Sequence, residues 1–190
     1  MIKPTYSFFS IILALACLCG SELVSDEIAT PSRSTENYEH WVLMCNNINS
    51  KDENQSENQL KFCEIKTTIS VKNQDGNPVP LININVGKPQ KSDDFLILFQ
   101  VPNGVFLRSS IIMNFTSLEG SDPENLVDAS YFRCDGSSCL ADATLLKKVI
   151  DKLFLRDEAN ILFVDKAMQR ISVPISLRGF KDAFLSLQNK

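Results

Sequence analysis

The sequence is poor in the residues and motifs on which most chemistry depends. His40 is its only histidine and Trp41 its only tryptophan. No HExxH, GxSxG, GxxxxGK[ST] or GxGxxG pattern occurs, so the zinc-protease, hydrolase-elbow, P-loop and dinucleotide readings have no motif to stand on. A lone histidine beside a tryptophan reads as a surface or packing residue rather than a catalyst, since no partner stands near it in the chain. The paired carboxylates Asp93-Asp94 and Asp157-Glu158 fall at element ends and read as solvated turn residues. No cofactor, metal or catalytic residue is expected.

Long apolar runs are also missing, with one exception at the start. Lys3 supplies a positive charge, and Tyr6 to Leu18 is an uncharged stretch rich in Phe, Ile, Leu and Ala. Small residues follow at Cys17, Cys19, Gly20 and Ser21. A membrane-spanning helix needs about 20 apolar residues, and this run is shorter. Residues 1–20 therefore read as a cleavable export signal, with the mature chain starting near Ser21. Two alternatives stay open: an uncleaved anchor, and a lipid on Cys17, because Ala14-Leu15-Ala16-Cys17 loosely resembles a lipobox. The lipobox ranks second because leucine is usual where Ala14 stands. No transmembrane span is expected in the mature chain.

Basic excess is absent too. The whole chain carries 19 Lys and Arg against 23 Asp and Glu, and residues 1–20 hold only Lys3, so the mature chain has 18 against 23 and a net charge of −5. Nucleic-acid binding relies on basic patches to neutralise phosphates, so none is expected. About 170 mature residues suit one domain with a sizeable core.

What remains is cysteine and alternation. Four of the six cysteines, Cys45, Cys63, Cys134 and Cys139, lie in the mature chain. An even count in an exported chain implies disulfides, and four cysteines allow three pairings. Cys45–Cys63 with Cys134–Cys139 is favoured, because each pair sits in one local unit. A zinc site is disfavoured: CxxC knuckles are missing, and an oxidising compartment converts thiolates to disulfides.

Along the chain, residues 21–37 are polar, aperiodic and contain Pro31, and read as a flexible leader ahead of a single domain at 38–190. Trp41, Leu43 and Cys45 share one face of an extended segment, and Trp41 reads as a core residue. Residues 46–58 read as a polar surface loop. Cys63, Ile65, Thr67, Ile69 and Val71 then alternate with polar residues, as in a strand packed on one side. An Asp75-Gly76 turn leads to alternating Ile82, Ile84 and Val86. The nearly continuous apolar run from Asp94 to Val101 predicts a central strand covered on both faces. Leu146, Val149, Ile150 and Leu153 recur at helical spacing, predicting a helix over 143–155 with Asp142 as its N-cap. A strand over 171–177 contains Pro174, which suggests an edge. Phe180, Ala183, Phe184 and Leu187 form the stripe of a short closing helix. Seven or more strands and two small helices favour an antiparallel β-sandwich.

Several segments, taken in order, resemble one family. Trp41-Val42-Leu43-Met44-Cys45, Phe62-Cys63-Glu64, Val101 to Leu107 (VPNGVFL), Tyr131-Phe132-Arg133-Cys134, Cys139-Leu140-Ala141 and Ile175 to Ala183 are similar to segments of the invasion-associated locus B proteins of bacteria. The resemblance spans about Tyr38 to Leu187. This chain departs from the family pattern at Ser138, at Arg156-Asp157 and at Ser109-Ser110, where glycine is usual. The resemblance implies an immunoglobulin-like β-sandwich, exported to the periplasm, envelope or medium, with no catalytic residues to carry over. It further implies a protein partner in the envelope or host, and a link to host-cell entry. In a bacterial protein the glycosylation patterns at Asn54-Gln55-Ser56 and Asn114-Phe115-Thr116 carry no meaning. Protein purified without reductant should therefore show no free thiol and begin near Ser21 by intact mass. Labelling of any of the four mature cysteines would contradict both bridges.

Overall fold

Alternation of apolar and polar residues builds the sheet that dominates this protein. The computed structural model describes residues 32–51, 57–90, 92–115 and 124–190. The export signal at 1–20, the leader up to residue 31 and the pattern at 54–56 lie outside them. Among the described residues the strands are β1 (Ser32–Tyr38), β2 (Trp41–Lys51), β3 (Glu57–Lys72), β4 (Pro78–Gly87), β5 (Leu96–Pro102), β6 (Ile111–Asn114), β7 (Asn125–Cys134), β8 (Ser138–Thr144), β9 (Glu158–Val164) and β10 (Arg170–Ser176). Helix α1 (Lys147–Leu153) lies between β8 and β9, and α2 (Phe180–Gln188) follows β10.

All pairings are antiparallel, and the strands form one sheet in the order β1-β2-β3-β4-β5-β8-β7-β6-β9-β10. The stretch β5-β8-β7-β6 is a Greek key. Strand β7 belongs to both halves: Asn125 to Ala129 pair with β6, and Ser130 to Cys134 pair with β8. Its register shifts between Tyr131 and Arg133, leaving Phe132 as an extra residue. Such a bulge bends a strand and is a common device for turning one sheet over onto another. Leu43, Ile65, Ile84 and Phe99 from one half and Ile111, Met113, Ile161 and Ile175 from the other join a single buried core. The result is the expected antiparallel β-sandwich, with its two halves hydrogen-bonded continuously through β7.

Helix α2 closes the core beside β1 and β2. The Trp41 ring meets Phe180 edge-on at 5.0 Å, and Phe184 packs on Phe95 at 4.7 Å and on Phe154 at 5.8 Å. Edge-to-face packing suits aromatic quadrupoles, and Trp41, fully buried, places its Nε1–H on the carbonyl of Ser176 at 3.1 Å. Glu36 ties β1 to the same helix. Its carboxylate accepts hydrogen bonds from Lys190 at 2.6 Å and Tyr38 at 2.8 Å, and Lys190 holds it below the usual carboxylate range.

Several expectations need correction. The leader's final residues, 32–37, are strand rather than flexible chain, because their backbone pairs with β2 from Tyr38↔Trp41 outward. Most of the supposed loop at 46–58 extends β2 and β3, which pair from Val42↔Lys66 to Lys51↔Glu57. Strand β5 is covered on one face only: Ile97, Phe99 and Val101 are buried, whereas Leu96 and Leu98 lie half-exposed on the outer face. Asp142 caps no helix. It belongs to β8, opposite Leu98 and Ser130, so pairing on both sides claims Ala141 and Asp142, and pairing with β5 carries the strand on to Thr144. Helix α1 starts after Leu146 with no side-chain cap. Pro174 does lie on an edge strand, β10.

Gly179 initiates α2 at φ 84°, and a Cβ there would come within 2.0 Å of the Tyr38 carbonyl oxygen. Only glycine combines that backbone angle with so close an approach. Gly179→Ala should cost at least about 2 kcal/mol through left-handed strain and steric clash. Urea unfolding measures it, and a change within error would show that the α2 junction has slack.

Candidate functional site

The family-like segments separate into two places in space. The first is structural. Trp41 to Cys45, Phe62 to Glu64 and Ile175 to Ala183 meet where α2 covers β2 and β3, and His40 N–H reaches the Arg178 carbonyl at 3.4 Å. His40 itself is exposed in the turn between β1 and β2. Cys45 and Cys63 are directly opposed on β2 and β3, with Cα atoms 4.1 Å apart, and are joined in a disulfide.

The second place is a cluster of loops at one end of the sandwich, and it forms the candidate functional site. Strand β5 ends at Pro102, and Asn103 reaches across to the turn between β7 and β8. Its backbone N–H donates to the Ser137 carbonyl at 3.4 Å, and its side-chain Nδ2 donates to the Asp135 carbonyl at 2.8 Å. That turn is pinned by the Cys134–Cys139 disulfide, whose cysteines are again direct cross-strand partners. Inside the turn, one Asp135 carboxylate oxygen accepts the backbone N–H groups of Ser137 and Ser138, each at 3.0 Å. These bonds hold the Asp135 carboxyl below its ordinary range, the Ser137 backbone bond most strongly. Ser138, where the family favours glycine, is buried, and its hydroxyl accepts a bond from Gln100 Nε2 at 3.0 Å.

Gly104 carries the connection to the third loop. With φ 97° it turns the chain so that its carbonyl accepts Lys166 N–H at 2.7 Å, after which Val105 bridges Asp165. The Asp165 carboxylate organises its own turn by accepting the N–H groups of Ala167 at 2.9 Å and Gln169 at 2.8 Å. The Val-Pro-Asn-Gly-Val segment is thus a strap that fastens the β7–β8 turn to the β9–β10 turn. Elements of this end expose three large apolar side chains: Leu107 (56%), Phe132 on the bulge (57%) and Met168 (62%). Other apolar side chains, such as Leu155, are exposed elsewhere, and what sets these three apart is that they share one fixed loop end and include the aromatic and methionine types favoured at interfaces.

The remaining candidates lie apart from this cluster. Asp93 and Asp94 precede β5, with Asp93 3.5 Å from Lys88, and Asp157 and Glu158 stand at the start of β9. Asn114 is only 6% exposed, which leaves no room for a glycan. Among the described residues no group of three or more His, Cys, Asp and Glu could hold a metal ion, and no helix is long and apolar enough to cross a membrane.

The family model described as "Invasion associated locus B (IalB) protein" matches residues 41–188. The chain belongs to this family. Among solved structures, an IalB-like fold is seen in the crystal structure of invasion associated protein B from Bartonella henselae, with TM-score 0.58 and 15% identity. The match covers 82% of this chain and 95% of that one. At that identity the likeness establishes the shared fold. A comparison with curated proteins finds no match. The IalB assignment agrees with the ordered segments, and the fold explains them: one set packs a helix, the other ties three loops.

Tyr131, just before the bulge, carries a buried hydroxyl with no hydrogen-bond partner, and burial pushes its pKa up to about 12. Tyr131→Phe should stabilise the protein by about 1 kcal/mol, because an unsatisfied buried hydroxyl is a net cost. Because burial raises its pKa in the folded state, the protein loses stability as the pH climbs from about 10 towards about 12, where the unfolded chain ionises this phenol first. The variant should lose that part of the alkaline sensitivity. Urea midpoints at neutral and alkaline pH decide, and a destabilised variant would reveal a partner for the hydroxyl.

Proposed function

We propose that this IalB protein is exported, works without catalysis, and supports association with host cells by holding a protein partner at its strapped loop end. The observation that carries this reading is the rigid presentation of exposed Leu107, Phe132 and Met168 by loops fixed with a disulfide and a backbone strap. Preorganised apolar groups bind well because little freedom is lost on docking. Family membership supports the host-directed role, and the name of the Bartonella protein refers to invasion. Cleavage near Gly20 and Ser21 would leave the domain in the periplasm or outside the cell; a lipid on Cys17 would tether it instead. Two disulfides suit an oxidising compartment.

The competing reading is a periplasmic carrier or chaperone-like module. It is weakened by the filled interior, where Trp41, Phe99, Phe180 and Phe184 are fully buried in one continuous cluster.

A strain lacking the gene should enter host cells less well, and the wild-type copy should restore entry. Leu107→Ser with Phe132→Ser, both exposed positions, should leave the fold intact by circular dichroism yet fail to restore it. Full restoration by that variant would remove the loop end from the mechanism. Substrate turnover by purified protein, lost on changing specific side chains, would overturn the non-enzymatic reading.

A further inference from the structure

A groove that starts beside the β9–β10 turn runs along the outer face of β6 and β9. It encloses about 500 Å³ and is lined by Arg108, Ser109, Ser110, Ile112, Asn114, Asn125, Leu162, Phe163, Val164 and Arg170. Its two ends differ in chemistry. The register sets Arg170 opposite Val164, so it stands at the same end as the Arg108-Ser109-Ser110 approach to β6. Ile112 faces Leu162 in the middle, and Asn114 with its partner Asn125 closes the far end. From Ser110 to Asn114 is four strand steps, or about 13 Å.

The cationic end is unusual for this chain. Net charge is −4, yet among the described residues no carboxylate lines the groove. Among the described residues neither arginine is paired with an acidic side chain; the ion pairs use Lys88, Lys147, Lys152, Arg178 and Lys190. Asp128, across from Ile112 on β7, stands outside the lining. Two arginines without an acidic partner among the described residues, at one end of an apolar floor, suit a planar anion, because each guanidinium can form two parallel charge-assisted hydrogen bonds.

We propose that this groove binds an extended peptide segment bearing a carboxylate at one end. Arg108 and Arg170 hold the carboxylate, an apolar side chain rests on Ile112 and Leu162, and the exposed amide of Asn125 meets the peptide backbone. The amide end selects a peptide over a fatty carboxylate. An acyl tail laid along the same 13 Å or so would bring hydrocarbon against the exposed amide of Asn125 and strip it of water. The site stands whether the partner belongs to the host or to the bacterial envelope, so it does not rest on the role in host association.

The test is a titration of the ¹⁵N-labelled protein, purified as exported, followed by NMR. The probes are the peptide Ser-Leu-Val-Leu-Asp with a free C-terminus, its amidated Asn counterpart, laurate and inorganic phosphate. The acidic peptide should shift the backbone signals of residues 110–114 and 162–164. R108Q combined with R170Q should weaken it at least about tenfold, as should the amidated probe, since each removes charge-assisted bonds. Signals from β2 and β3 report that the variant stays folded, and R108K with R170K, which keeps both charges, should retain part of the binding. Equal binding of the amidated peptide, an unaffected glutamine variant, or no shift with any peptide would overturn the proposal. Tighter binding of laurate would replace it with an acyl site, and equal binding of phosphate would reduce it to a general anion site.

Discussion

Among the described residues, a ten-stranded antiparallel sheet that carries its apolar residues on one face has only itself and two short helices to bury that face against. Everything else in this protein follows from that constraint. The sheet has to turn over, and β7 lets it do so by dividing its hydrogen bonds between two neighbours and taking up one extra residue, Phe132. The turn leaves one side of the core open near β1 and β2, and α2 fills it with Phe180, Ala183, Phe184 and Leu187. Closure in turn needs Gly179, because the helix can reach Trp41 only if its first turn lies directly on the backbone of Tyr38.

The parts of this arrangement visible in the sequence were those set by local periodicity. Cys63 to Val71 and Ile82 to Val86 alternate strictly and are strands, and the four-residue stripe from Phe180 is a helix. Failures came where partners far along the chain decided the outcome. Ser32 to Tyr38 shows no alternation, but an edge strand needs only backbone bonds, and β2 supplies them. Asp142 looked like a cap because a helical pattern begins soon after it; β5 and β7 claim it first. Leu96 and Leu98 looked like core residues because a run of apolar side chains does not reveal which of them point outward. The strapped loop end was legible only as a motif. Asn103, Asp135 and Asp165 bear no local relation to one another, and nothing in their spacing predicts that one glycine carbonyl and one asparagine amide would tie their loops together.

The two disulfides play different parts. Cys45–Cys63 joins neighbouring strands beneath the closing helix, with Cys45 in the core and Cys63 packed against it. Closing a loop of that size stabilises by roughly 3 kcal/mol in the chain-entropy model. Cys134–Cys139 spans a turn of four residues, where hydrogen bonds from Asp135 and Asn103 already define the path. Its main effect is to make that turn a firm abutment for the Val-Pro-Asn-Gly strap. One bridge serves the core and the other serves a surface.

The meeting of β1 with α2 also has a meaning for how the chain acquires its shape. Glu36 pairs with Lys190, and Tyr38 lies against Gly179, so the first strand and the closing helix complete one another across most of the sequence. A chain delivered N-terminus first, from a ribosome or through a membrane pore, holds Trp41 and its neighbours uncovered until residues 177–190 have emerged. Vectorial delivery thus keeps the hairpin of β2 and β3 waiting in an uncapped state. In that interval Cys45, buried in the finished fold, stands open to pairing with Cys63 opposite it.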